Sequence, residues 1–174
     1  MIFRRSRKSD TSFPFPGSEH ALDGHAAVYA TEAIAGEALV VQASPDLDEI
    51  TGPLRNLAPG RETTITGRPL IEQTAASGSD LSALVAGYAA AGLRTAAMAG
   101  DLHRIREELS AAAGRRLGCV YHITGRAAHR HGSAIAGAHD DYIRASGSGA
   151  FLLFAVNAQE AADLALIAHR VAEA

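Results

Sequence analysis

The sequence predicts an α/β fold: a doubly wound, mainly parallel sheet flanked by helices. Three observations lead there. Short apolar runs of strand length stand at residues 38–41, 117–123 and 150–156. Stretches of ten or more residues with helical character separate them, each opened by a capping residue or closed by glycine. Strands alternating with helices need crossover connections, and crossovers build parallel sheets covered on both faces.

The elements follow in order. Residues 1–19 form a flexible basic extension, with Arg4, Arg5, Arg7 and Lys8 followed by prolines and Gly17. It lacks the apolar stretch of a secretory signal. An arm docking on an acidic partner is its sharper alternative. The domain proper is expected over residues 20–174. Asp23 caps a helix over 25–34 that Gly36 closes. The run 38–41 is a buried parallel strand, and residues 46–57 are a second helix. A strand is expected at 63–66. Residues 77–80 precede a helix over 81–91, stopped by Gly92. Residues 94–98 are a short strand. Asp101 opens a charged helix to residue 113, with Gly114 as its stop. Strand 117–123 leads into a long loop, 124–141. Residues 150–156 are the clearest strand of all, and Asn157 caps a last helix over 158–172. Its apolar stripe (Ala161, Leu164, Ala165, Ala168, Val171) is an ordinary core face.

Composition narrows the chemistry. The chain has 174 residues, 47% hydrophobic and 20% charged, enough for one full core. Its net charge of -3 and 5% aromatic content give no footing for nucleic acid. No apolar run reaches the roughly 18 residues of a membrane span. A cytoplasmic protein is expected. Cys119 is the one cysteine, so disulfide frameworks and cysteine-rich metal or iron–sulfur sites are excluded within this chain. It lies in an apolar strand and reads as inert core. Lys8 is the one lysine, and it lies in the extension. Neither a GxGxxG nor a P-loop occurs.

In open parallel sheets, ligands bind at the carboxyl ends of strands. Two segments qualify: 42–46 and 124–141. The second is dense in Arg, His and acid, and three readings of it compete. Arg126, directly after a strand, has the planar fork that holds a carboxylate or phosphate. His129, His131, His139 and Asp140 are a weak alternative as metal ligands, since His-x-His suits zinc or copper but the spacing matches no strong motif. One histidine is a candidate general acid or base.

Several segments together resemble a known family. Leu22-Asp23-Gly24-His25-Ala26-Ala27 is similar to an opening in which Asp-Gly-Asn begins the first helix. Val41-Gln42-Ala43-Ser44-Pro45 falls at a Tyr-Pro-Ile-Thr-Pro turn. His122-Ile123-Thr124-Gly125-Arg126-Ala127 lies on His-Val-x-Ala-Arg-Ala. Residues 131–141 run along His-x-x-Ser-Ile-x-Gly-Asp-His-x-Asp, and 157–169 along a Val-Gln-Glu-x-x-Asp-x-Ala-Leu-Val-Ala-His helix. The whole resembles the N-terminal, pyrimidine-type thiamine-diphosphate domain of pyruvate:ferredoxin (flavodoxin) oxidoreductases and related 2-oxoacid:ferredoxin oxidoreductases.

The resemblance implies substrate contacts at Arg126, which keeps the family's carboxylate-binding arginine, at Ser44, which keeps a turn hydroxyl, and at His131. It implies cofactor contacts at Ser44, Pro45 and Asp80. It also implies a glutamate against the aminopyrimidine ring, nine residues before the glycine matched by Gly87. Gly78 stands there, and Asp80 is the nearest substitute. The diphosphate, magnesium and electron carriers belong to a second, pyrophosphate-type domain. The resemblance therefore implies a component of a thiamine-dependent 2-oxoacid oxidoreductase complex that does not catalyse alone. Its partners would be a pyrophosphate-type subunit or a second copy. The alternative is a binding or scaffolding module that has lost the cofactor and senses a carboxylate metabolite.

Overall fold

The computed structural model describes residues 22–44, 47, 64–100, 102–103, 105–129, 132–137 and 139–174, and for 126–137 the backbone alone. Four strands make a parallel sheet in the order β2-β1-β3-β4. They are β1 (Ala38–Gln42), β2 (Ile71–Ala75), β3 (Thr95–Ala99) and β4 (Cys119–Ile123). The helices are α1 (Gly24–Ala35), α2 (Gly78–Ala90), α3 (Arg106–Gly114), α4 (Asp140–Ala145) and α5 (Ala158–Ala172). An antiparallel hairpin, β5 (Arg126–His129) with β6 (Gly132–Gly137), stands apart from the main sheet.

Strand alternation sorts the core into two layers. Leu39, Val41, Ala96, Met98 and Val120 face α1 and α5, where Tyr29 is fully buried and Ala161, Ala168 and Ala172 pack in. Val40, Ala97 and Ala99 face Leu81 and Val85 of α2, Leu109 of α3 and Ala145 of α4. The central strands β1 and β3 are buried along their whole length, as expected of strands covered on both faces. Alanine-rich surfaces let α1 and α5 approach closely.

Local chemistry places the helix ends. Asp23 accepts from the Ala26 amide at 2.7 Å, Ser77 from Asp80 at 3.1 Å and Asn157 from Glu160 at 2.9 Å. Glu160 reaches back to the Val156 amide at 2.8 Å, so the start of α5 is capped from both sides. Gly92 takes φ +82°, the left-handed conformation that ends α2 cleanly.

Five sequence expectations are corrected. Thr64 to Gly67 form a hydrogen-bonded turn, the Gly67 amide donating to Thr64 at 2.9 Å, where a strand was expected. The strand lies later, at β2, an edge strand whose mostly exposed Ile-Glu-Gln-Thr-Ala carries no apolar alternation. Helix α2 starts at Gly78, three residues early, because Ser77 is its cap. Helix α3 starts late, at Arg106, with Ile105 as an N-cap that makes no side-chain bond. The stretch 124–141 is not an open loop but holds the β5–β6 hairpin and the start of α4.

The fifth correction concerns residues 150–156. They are not a strand: no ladder joins 151–155 to another described residue. Composition favours an extended chain, but a strand also needs a neighbour. The expected helix 46–57 falls outside the described residues apart from Leu47, which is helical and buried. So do the extension 1–19 and Asp101.

Candidate functional site

Parallel register brings the carboxyl ends of the strands to one edge: Gln42 pairs with Ala75, Val41 with Met98, and Ala99 with Ile123. The chain leaves β1 toward β2 on one side while β3 lies on the other. The crevice between β1 and β3 is therefore the switch point where such sheets bind ligands. Ser44 and Gly100 flank it. A Cβ built on Gly100 would lie 3.8 Å from Ser44 Oγ, and Ser44 is half-buried.

Hydrogen bonds tie the floor of the crevice together. Gln42 is buried, and its Oε1 accepts from the Gly100 amide at 3.1 Å. The Ala43 amide donates to Ala75 at 2.7 Å, and the Thr124 amide to Ala99 at 3.2 Å. The N-termini of α1 and α2 both lie at this edge, because each helix runs antiparallel to its adjoining strand. Their helix dipoles favour an anion.

At the mouth of β4, the Thr124 hydroxyl meets His25 Nε2 at 2.7 Å. Two residues on, Arg126 opens β5. Its position after the strand is as expected. Gly78 is the first residue of α2 and is buried; Asp80 is exposed in the first turn, with its amide taken by Ser77. Glu72, the other carboxylate on this flank, accepts from the Tyr29 hydroxyl at 2.8 Å. Pro45 and His131 lie outside the described residues. The Cys119 thiol is pushed up to about 11 by burial, in keeping with an inert core cysteine.

Of the weak metal set only the His139 and Asp140 side chains are described; among the described residues no group of three His, Cys, Asp or Glu side chains can hold an ion. His139 instead packs on the Phe154 ring with centroids 4.8 Å apart. Asp140 sits in the first turn of α4, and the neighbouring Asp141 accepts from the Leu102 amide at 3.2 Å. The His129 side chain lies outside the description.

Sequence reasoning missed the most organised polar group in the chain. Glu32 of α1 is completely buried. His122 Nε2 of β4 donates to its Oε1 at 2.7 Å, and His169 Nε2 of α5 to its Oε2 at 2.8 Å. Burial pushes the Glu32 carboxyl up, but the two histidine hydrogen bonds outweigh it and hold the group at about 2. Both rings therefore carry their proton on Nε2. The signal was present: each residue is a polar position on an otherwise apolar face. The cluster ties α1, β4 and α5 together within one layer, and neither Ser44 nor Gly100 at the crevice is among its partners.

Among the described residues no helix is long and apolar enough to cross a membrane. Residues 74–174 match the family model for pyruvate flavodoxin/ferredoxin oxidoreductase, thiamine-diphosphate-binding. The pyruvate:ferredoxin oxidoreductase of Moorella thermoacetica is 42% identical over 57 residues, which are 33% of this chain and 5% of that protein. The alignment thus spans a small fraction of that relative's length. The matched region contains β3, β4, Arg126 and the α5 helix, and the four-stranded parallel sheet suits the same fold. The chain belongs to the pyruvate flavodoxin/ferredoxin oxidoreductase family, in its thiamine-diphosphate-binding domain.

Proposed function

We propose that the chain is a subunit or accessory component of a 2-oxoacid:ferredoxin oxidoreductase-type complex and does not catalyse alone. The observation that carries this reading is the crevice at the carboxyl ends of β1, β3 and β4. Ser44 flanks it, two helix N-termini point toward it, and Arg126 follows the anchored Thr124. Hydroxyl, helix dipoles and guanidinium are the donor set for a 2-oxoacid carboxylate.

The described residues do not fit the whole cofactor. The glutamate that the family places against the aminopyrimidine ring would stand at Gly78, where there is no side chain. Asp80 is exposed and shorter, and Glu72 is engaged by Tyr29. No step through thiamine diphosphate is therefore derived for this chain. Its own contribution is to bind and orient a carboxylate, while a pyrophosphate-type partner would bring diphosphate, magnesium and the electron carriers. Loss of positioned acid–base help costs roughly 10²–10⁴-fold in rate.

The test is reconstitution. The chain is combined with a pyrophosphate-type subunit recovered with it from its host, and thiamine-dependent turnover of a 2-oxoacid is followed. Gly78→Glu is expected to raise thiamine diphosphate binding and turnover; no change in either sinks the alignment at Gly78. Arg126→Ala is expected to abolish 2-oxoacid thermal shifts.

Gly78 also favours a second reading, a module of this fold that senses a carboxylate metabolite. It predicts Arg126-dependent shifts with pyruvate or 2-oxoglutarate and no thiamine diphosphate binding even beside the partner. Co-purification of the chain with itself alone would favour this second reading.

A further inference from the structure

Two buried polar side chains stand at the strand ends beside the crevice: Gln42 closes β1, and Thr124 follows β4. A buried amide or hydroxyl is tolerated when it is hydrogen-bonded. Both residues bond to one peptide plane, that between Ala99 and Gly100 at the end of β3. Gln42 Oε1 accepts from the Gly100 amide at 3.1 Å. The Thr124 amide donates to the Ala99 carbonyl at 3.2 Å, and the Thr124 hydroxyl lies 3.5 Å from the same oxygen. A third polar side chain extends the network. His25, the second residue of α1 and half-buried, meets the Thr124 hydroxyl through Nε2 at 2.7 Å. The bonds run from His25 through Thr124 and the 99–100 peptide to Gln42, across the ends of α1, β4, β3 and β1.

We propose that His25, Thr124 and Gln42 are positioning residues that set the spacing of the carboxylate site. The inference rests on the carboxylate reading of the crevice. Ser44 stands two residues past Gln42, and Arg126 two residues past Thr124. Each candidate contact is thus rooted at one end of the same network, with a single peptide plane between the roots. Two residues of extended chain reach at most roughly 7 Å, so fixing the roots confines both contacts. Loose strand ends would have to be ordered by the ligand itself, at a cost in affinity.

Bond direction says what His25 must supply. The Thr124 hydroxyl has the Ala99 carbonyl as an acceptor for its proton, which leaves its lone pairs for a donor. An imidazole Nε2–H is such a donor, and the role needs no charge. A glutamine amide reaches about as far as Nε2 and also donates, whereas leucine has the bulk and no donor. His25→Gln and His25→Leu therefore separate the bond from the packing.

The experiment is calorimetric titration of the whole chain with pyruvate and with 2-oxoglutarate, alongside amide exchange at Gly100 and Thr124 read by NMR. His25→Leu and Thr124→Val are each expected to weaken binding by roughly 5- to 10-fold and to speed exchange at both amides. The double variant should bind no worse than either single one, because both break the same bond. His25→Gln should stay within about twofold of the wild type. Should Thr124→Val misfold, the two His25 variants decide alone. Unchanged affinity in His25→Leu and Thr124→Val, while Arg126→Ala abolishes binding, overturns the positioning role and leaves the carboxylate reading standing. A His25→Gln protein as weak as His25→Leu overturns it too. Wild-type protein that binds neither acid, or binding that survives Arg126→Ala, removes the carboxylate reading and this inference with it.

Discussion

The Glu32 cluster and the carboxyl-end crevice are both polar, yet they are built in opposite ways. In the first, a buried carboxylate has two donors from two other elements, and nothing within it is left over. In the second, Gln42 satisfies the Gly100 amide while the nearby helix α2 opens on Gly78, which has no side chain. The contrast teaches where this chain has kept its polar groups. A charge that locks three elements together cannot be lost without harm to the fold, because its partners would stay buried. A carboxylate facing a ligand can go at little structural cost.

Four substitutions, one of them the control for a titration, sharpen this contrast. The largest effect is expected for Glu32→Ala, which strands His122 and His169. Breaking a buried pair costs roughly 3–5 kcal/mol. Denaturant unfolding checks it, and a loss below about 1 kcal/mol would mean the cluster is not a lock.

The pH dependence tests the same point without a cavity. Glu32 is held at about 2 in the folded chain against an ordinary 4.5. A lowered carboxylate stabilises fully above its unfolded value and loses that contribution as pH falls through the folded one. Stability should therefore drop between about pH 4.5 and 2, by about 3 kcal/mol from this group. Glu32→Gln should lack that limb, and parallel curves for the two proteins would remove Glu32 as its source.

Gly36→Ala is expected to come next. Its Cβ would sit 2.8 Å from the Glu32 carbonyl oxygen and 3.1 Å from Oε2. Overpacking against a rigid helix end costs roughly 1–3 kcal/mol. Calorimetry should show a lower melting temperature, and an unchanged one would show that Glu32 has room to move.

The smallest effect belongs to the crevice. A Cβ at Gly100 meets Ser44 Oγ at an ordinary 3.8 Å. Gly100→Ala should thus change stability by about 0.5 kcal/mol or less. It should still weaken any carboxylate held at Ser44. A large destabilisation would mean the crevice is as structurally committed as the Glu32 cluster.

Much of the fold was legible because its signals are local. Caps at Asp23 and Asn157 and the apolar runs of β1 and β3 give themselves away within a few residues. What failed depends on neighbours. Strand β2 is a strand because β1 pairs with it, although its own residues are mostly polar or exposed. Residues 150–156 fail the same test in reverse: they have the composition of a strand and no partner among the described residues. The β5–β6 hairpin was missed because glycine, alanine and histidine carry little strand character.

The site divides similarly. Arg126 and Ser44 follow from the rule that ligands meet strand ends, together with the motifs around them. The Glu32 cluster joins residues 90 and 137 positions apart, and no local pattern links them.

That last separation bears on how the chain is made. During synthesis α1 emerges first, but His169 comes 137 residues after Glu32. Until then the layer over α1 cannot close, and Glu32 has no second donor. Long-range closure of this kind is slow and late. The nascent domain would keep its first helix loosely attached until α5 leaves the ribosome, when a single docking event both covers the sheet and gives Glu32 its second donor.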